Sequence, residues 1–265
     1  MTPGFLAAEF VAPSTKDFVF GCWGGGFSIF GFHFCVNFIT FLILLTLILF
    51  IALFYLAFRK PTIVPGRFQA LMELGIQFVR EQIAIPMLGS EADRFLPLLA
   101  SFFFFILIAN LFEVAPGFNF APTSRVAIPL LLASISWVTY NGVGIARHGF
   151  LGYLRHTCII DQAPGWLRYT LLMLIEFVSN IVVRPITLTV RLTANFLAGH
   201  FLLAIFFLGT IFFLENGPKT WIFAGVSIPL SVLLVGFEIF VAILQAFIFA
   251  ILSASYIGQA LAEEH

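Results

Sequence analysis

The stretch "TVRLTANFLAGHFLL", residues 189–203, places an arginine, an asparagine and a histidine inside a long apolar segment. That segment, residues 169–214, and the next one, residues 221–261, are both longer than the roughly 20 apolar residues that a membrane-spanning helix needs. A short polar connection around Gly217 separates them. The pattern predicts two long, tilted helices that fold back on each other as a hairpin.

The composition of the whole chain predicts an all-α integral membrane protein. Of its 265 residues, 61% are hydrophobic and only 10% are charged, whereas charged residues make up about a quarter of a typical soluble domain. Lysine and arginine balance aspartate and glutamate at 13 each, so no nucleic-acid partner is predicted. The three cysteines are far apart in the sequence, and we predict neither a metal site nor a cofactor.

Three further spanning helices precede the long pair, at residues 34–58, 97–116 and 126–146. Residues 67–87 carry apolar residues at helical spacing but are interrupted by charges, which is typical of an interfacial amphipathic helix. Residues 1–33 are predicted to form a segment outside the membrane. The chain is thus expected to form one membrane domain with five spans and one interfacial helix.

Basic residues are concentrated in the connections that follow the first and third spans. The positive-inside rule therefore predicts an N-terminus outside and a C-terminus in the cytoplasm. The first 30 residues lack the features of a signal peptide and of a mitochondrial transit peptide. We expect the plasma membrane of a bacterium, with the mitochondrial inner membrane as the alternative.

Polar residues within the two long helices are the candidates for function, because a charge at the bilayer centre costs about 2.5–3.5 kcal/mol. They are Glu176, Arg184, Arg191, Asn195, His200, Glu238 and Gln245. Folding the hairpin at Gly217 brings Arg191 and Gln245 to similar depth, and His200 level with Glu238.

Two titratable groups thus flank a permanent cation. The His200–Glu238 pair lies toward the outer side of Arg191, and Glu176 lies on the inner side, roughly 22 Å away along an ideal helix. Arginine stays protonated at any physiological pH, and a histidine beside a carboxylate can exchange protons near neutrality. This layout suits two proton half-pathways that must not connect directly.

Structural explanations remain open for several of these residues. Arg184 could extend its guanidinium to the interface, and Glu176 could be an ordinary interfacial carboxylate. Asn195 and Gln245 could form hydrogen bonds between helices.

Asn110 and Glu113 lie one turn apart at the end of the second span. They could line an outer aqueous cavity, or they could form a polar cluster at a helix end.

Three segments resemble the a subunit of F-type ATP synthases. They are "VVRPITLTVRLTANFLAGHFLL" (182–203), "FEIFVAILQAFIFAILSASYIGQAL" (237–261) and, more weakly, "LIANLFEVAPG" (107–117). The resemblance covers nearly the whole chain and is most similar to the versions from Gram-positive bacteria.

The resemblance implies that Arg191 faces the carboxylates of a rotating ring of c subunits. Asn195 and Gln245 match polar residues that support this arginine, and His200 and Glu238 match the outer half-channel. The order of the acid and the histidine is reversed relative to some members of the family. Glu176 matches the acid of the inner half-channel only to within one residue.

The implied function is proton translocation coupled to ring rotation and ATP synthesis. The implied partners are the c ring, the peripheral-stalk b subunits and the remaining subunits of the complex. No GxxxxGK[ST] loop is present, so nucleotide chemistry is assigned to partners and the chain is not expected to be an enzyme on its own. The alternatives are a redox-linked subunit that binds quinone or haem and a stand-alone ion transporter.

Overall fold

In the computed structural model, the described residues are 27–29, 32–34, 37–60, 62, 64–115, 117–149, 152–153 and 173–262. Two three-residue strands, β1 (Phe27–Ile29) and β2 (Phe32–Phe34), pair in antiparallel fashion, with Phe27 opposite Phe34. The remaining regular structure in the described ranges is helical. Arg155 and Arg168, two of the basic residues in the connection that follows the third span, lie outside the described residues.

The first half of the bundle starts with α1 (Phe38–Phe58), whose first turn is capped by the Asn37 side chain, which accepts from the Thr40 N–H. Then come α2 (Arg67–Val79), a first π turn (Arg80–Ala84) and α3 (Ile85–Leu88).

A 3₁₀ turn (Gly89–Glu91) leads into α4 (Ala92–Val114). Gly89 has a φ of 54°, a left-handed conformation that glycine adopts most readily. This glycine lies between the segment predicted as an interfacial helix and α4, which covers most of the predicted second span.

The second half contains a 3₁₀ turn (Pro122–Ser124) and α5 (Ala127–His148). A broken helix follows, made of α6 (Met173–Val178), a second π turn (Ser179–Val183) and α7 (Arg184–Glu215).

The last helix is α8 (Trp221–Leu261). The turn between α7 and α8 contains Gly217 at a φ of 95°, and a hydrogen bond of 2.6 Å joins the hydroxyls of Thr210 and Ser227 just inside it. The predicted hairpin is confirmed.

Helix α8 is the centre of the bundle and packs against α4, α7 and α5. Its buried face carries a stripe of alanines at every fourth position: Ala242, Ala246, Ala250 and Ala254. Small residues let neighbouring helices approach closely within a membrane. The ring of Phe249 fills the space beside the stripe and contacts Phe102 of α4 edge-on, at 5.3 Å between ring centroids.

Five helical stretches in the described ranges are long and apolar enough to cross a membrane. They begin at Phe38, Arg67, Ala127, Ile175 and Trp221. The prediction of an all-helical integral membrane protein with five spans is confirmed, and the short β1–β2 pair lies before the first span.

Candidate functional site

A cavity of about 540 Å³ opens between α4, α7 and α8 toward the hairpin turn. We call it the Glu113 cavity; its polar lining comes from Glu113, Asn119 and His200. The His200 ring stacks on Phe196 at 5.5 Å between centroids and meets Phe120 edge-on at 5.6 Å. The aromatic rings therefore hold the imidazole at the cavity wall.

Glu238 of α8 lies behind this wall and is only 6% exposed. Its carboxylate packs directly on Gly199, the residue before His200. A Cβ at position 199 would lie 2.6 Å from Cδ and Oε2 of Glu238 and closer still to Oε1. Gly199 therefore leaves the space that the carboxylate occupies, and it brings Glu238 next to the backbone that carries His200.

Glu113 of α4 is 5% exposed, and its Oε1 has no hydrogen-bond partner among the described residues. Glu113 lines the Glu113 cavity together with His200, and the Glu238 carboxylate packs on Gly199 beside His200. The structure thus brings Glu113, His200 and Glu238 together from three helices. Asn110 lies one turn back, where its Oδ1 accepts a 2.9 Å hydrogen bond from Thr123 Oγ1.

Arg191 lies on the opposite side of α7, on an exposed face whose neighbouring positions, such as Val190, are apolar. Its guanidinium makes no hydrogen bond or ion pair with any residue that the structure describes. Asn195, one turn further along, is half-buried. Gln245 is 5% exposed, and its Nε2 has no hydrogen-bond partner within the described ranges.

Arg184 is held firmly within the protein at the end of the bundle where the second π turn lies. Its Nη2 donates to Gln259 Oε1 at 2.9 Å. Its guanidinium also lies 4.7 Å from the ring centroid of Tyr256 and 5.9 Å from that of Tyr140. These contacts favour a structural role for Arg184, beyond an extension to the interface.

Glu176 in α6 is half-buried and is not brought to the Glu113 cavity. Along the helix it remains roughly 22 Å from Arg191. The acidic residues thus form two separate groups. Glu176 lies on one side of Arg191 along the helix axis, and Glu113 and Glu238 lie on the other. Among the described residues, no group of three or more His, Cys, Asp or Glu side chains is placed to hold a metal.

Four residues of this region had not been singled out from the sequence: Gly199, Asn119, Tyr140 and Asn180, whose backbone carbonyl accepts a 2.7 Å hydrogen bond from the Tyr140 hydroxyl. Gly199 could have been noted, because it is a small residue inside the polar run of α7. The other three carry no pattern in the sequence, since their roles depend on which helix they face.

The fold and the site define a multi-pass helical membrane protein with titratable side chains in its interior and, among the described residues, an arginine without an ion pair on an exposed apolar face of α7. The chain belongs to the ATP synthase A chain family, whose sequence model matches residues 38–258.

Among its relatives is the ATP synthase subunit a of Rhodococcus erythropolis, 39% identical over 98% of this chain and 94% of the relative. Another is that of Streptomyces lividans, 38% identical over 98% of this chain and 91% of the relative. A third, from a Nocardioides species, is 38% identical over 97% and 95%. These Gram-positive relatives confirm the resemblance inferred from the sequence.

Proposed function

We propose that this chain is the proton-translocating stator subunit of an ATP synthase and that Arg191 faces the carboxylates of a rotating c ring. The observation that carries this proposal is the exposed guanidinium of Arg191 on an apolar face, unpaired within the described ranges. A charge in that environment costs about 2.5–3.5 kcal/mol. A carboxylate of a neighbouring subunit would offset this cost.

Protons reach the ring from the outer side through the Glu113 cavity. Glu113 and His200 line the cavity, and Glu238 lies behind Gly199. Groups that are buried and close together can pass a proton in short steps. A ring carboxylate that takes up this proton can turn into the lipid, because the neutral acid costs far less to bury than the anion.

Arg191 separates the two half-pathways. It attracts the ionised ring carboxylate and, because arginine stays protonated, it carries no proton from one side to the other. Asn195, one turn further along α7, and Gln245 on α8 supply polar atoms that keep this ion pair hydrated enough to break. A tight, dry pair would stop rotation.

The proton leaves on the inner side near Glu176. This carboxylate is half-buried, so it can exchange protons with water directly. Arg184, eight residues further along the chain, is fixed by Gln259 and the tyrosines.

The remaining parts of the proposal concern the surroundings of the chain. We place it in a bacterial plasma membrane with the N-terminus outside and the C-terminus in the cytoplasm. It works with the c ring, the b subunits and the nucleotide-binding sector, and it is not an enzyme on its own. These partners follow from the name that its relatives carry, ATP synthase subunit a.

The test is Arg191→Ala in inverted membrane vesicles. The expected result is loss of ATP-driven proton pumping together with an undiminished or larger passive proton leak after the catalytic sector is stripped. The matched control is Arg80→Ala, which removes one arginine from an exposed ion pair with Asp93 outside the channel helices.

Unchanged pumping by Arg191→Ala would show that the arginine is structural and would overturn the proposal. Equal loss in Arg80→Ala would overturn the assignment as well, because the effect would then not depend on the channel face.

A further inference from the structure

The second π turn, Ser179–Val183, lies between Glu176 and Arg191. The Arg184 N–H donates to the Ser179 carbonyl, five residues back, whereas in an α-helix it would serve Asn180, four residues back. The next residue, Pro185, has no N–H to donate. Neither of the two backbone positions that could serve the Asn180 carbonyl therefore does so.

A tyrosine from another helix supplies the missing donor. The Tyr140 hydroxyl of α5 donates to the Asn180 carbonyl at 2.7 Å. Both residues are almost completely buried, at 1% and 2% exposure. A buried carbonyl without a partner is strongly disfavoured, so the Tyr140 hydroxyl stabilises the π turn relative to a regular α-helix. The Asn180 side chain adds a second link, from Nδ2 to the Tyr153 hydroxyl at 3.2 Å.

The first π turn, Arg80–Ala84, has the same backbone pattern. The Ile85 N–H donates to the Arg80 carbonyl, five residues back, and Pro86 follows. The bypassed residue there is Glu81, which is exposed, so water can serve its carbonyl. Within the described ranges no side chain donates to it. A tyrosine is thus needed only where the turn is buried.

The π turn changes the face on which Glu176 lies. It accommodates one residue more than an α-helix over the same length, so residues before it are rotated by about 100° relative to those after it. Glu176 consequently shares a face with Arg184, as if seven residues separated them. In an uninterrupted α-helix, Phe177 would occupy that angular position.

We propose that Tyr140 is a positioning residue for the inner proton pathway: its hydroxyl holds the π turn that aims Glu176. This inference rests on the proposed role of Glu176 as the inner proton-exchanging carboxylate.

The first experiment is Tyr140→Phe in the complete complex, assayed by ATP-driven proton pumping per assembled complex in inverted vesicles. We expect a severalfold loss, because the ring remains and only the hydroxyl is removed. The matched control is Tyr256→Phe. Its ring also contacts Tyr140 and Arg184, but its hydroxyl makes no hydrogen bond to a described residue. Pumping by this control is expected to match the unaltered complex, and an equal loss would overturn the inference.

The decisive measurement is an exchange of neighbours, Glu176→Phe together with Phe177→Glu. In the unaltered chain the exchange turns the carboxylate away from its pathway, and we expect it to lower pumping severalfold. In the Tyr140→Phe chain the helix reverts to a regular α-helix, and the same exchange is expected to restore pumping. A further loss, or no restoration, would overturn the inference, since a merely structural tyrosine gives no rescue.

Failure of this inference is distinguishable from failure of the proposed function. Impaired pumping by Glu176→Gln without rescue by the exchange overturns the role of Tyr140 alone. Normal pumping by Glu176→Gln overturns the inner pathway itself.

A second variant tests the inference if Tyr140→Phe assembles poorly. Pro185→Ala supplies a backbone N–H that can donate to the Ile181 carbonyl, four residues back, and it thereby favours a regular α-helix. Added to Tyr140→Phe, it is expected to restore assembly, and the exchange of Glu176 and Phe177 is then expected to restore pumping. Absence of restoration would count against the inference.

Discussion

The two ends of the α7–α8 region hold their acids in opposite ways. Toward the hairpin turn, Glu113 and Glu238 are nearly inaccessible, and one of them is fitted onto a glycine. At the end with the second π turn, Glu176 is half-buried, and the surrounding polar groups are engaged in fixed hydrogen bonds.

Under the proposed function, this difference separates two ways of handling a proton. A buried carboxylate is costly as an anion, so the acids near the hairpin depend on close neighbours to exchange protons. A half-buried carboxylate can exchange protons with water, but its side chain must point in the correct direction. The first end is therefore expected to be sensitive to small changes in packing, and the second to changes in helix register.

The largest effect is expected for Glu238→Gln, which keeps the shape but removes the titratable group. Loss of a positioned proton-transfer group lowers rates by on the order of 100-fold. We expect a loss of that size in ATP-driven pumping, measured by quenching of a pH-sensitive dye in inverted vesicles. The control is Glu73→Gln on α2, where an exposed carboxylate only accepts from Gln69. Pumping within twofold of the control would remove Glu238 from the pathway.

The next largest effect is expected for Gly199→Ala. The added Cβ overlaps the Glu238 carboxylate, and such overpacking costs about 1–3 kcal/mol. We expect pumping to fall by about tenfold.

The shorter acid in Glu238→Asp should recover part of the pumping lost in Gly199→Ala. The matched control is Gly209→Ala on the same helix, where a Cβ meets nothing within 4 Å. If the two alanine variants behave alike, the contact with Glu238 is not what position 199 requires.

A smaller effect is expected for Glu176→Gln. Because this side chain is half-buried, water can carry part of the exchange in its absence. The expected loss of pumping is severalfold and smaller than that of Glu238→Gln under the same assay. The reverse order of the two losses would contradict the comparison between the ends.

The smallest effect is expected for Thr123→Val, which removes the hydrogen bond to Asn110 Oδ1. The loss of one such bond costs about 0.5–1.5 kcal/mol, so the complex should inactivate at a lower temperature. Pumping per assembled complex should stay unchanged, because Asn110 does not line the Glu113 cavity. A marked loss of pumping at normal thermal stability would assign Asn110 to the pathway.

Much of the fold could be predicted from the sequence, because in a bilayer the helices are selected by apolar length. The apolar runs and the charged interruptions between them indicated five spans and the hairpin at Gly217. The depth of Arg191 between two groups of titratable residues could also be predicted, since depth along a helix follows from a constant rise per residue.

The side that each helix turns toward its neighbours, and the register between helices, could not be predicted in the same way. The contact of Glu238 with Gly199 depends on how α7 and α8 are rotated against each other, and the placement of Glu113 near both depends on α4. In the sequence, Glu176 matches the inner acid of the family only to within one residue. The π turn beside Glu176 is seen only in the structure.

The sequence by itself determined which segments are apolar and long enough to cross a membrane, and which polar side chains these segments carry. Those properties are local, since they follow from the apolar length of each segment and the chemistry of each side chain. Only the tertiary structure decided which acids are enclosed, which glycine makes room for one of them, and which tyrosine holds the π turn. These depend on contacts between helices distant in sequence, where a rotation of one residue changes every partner.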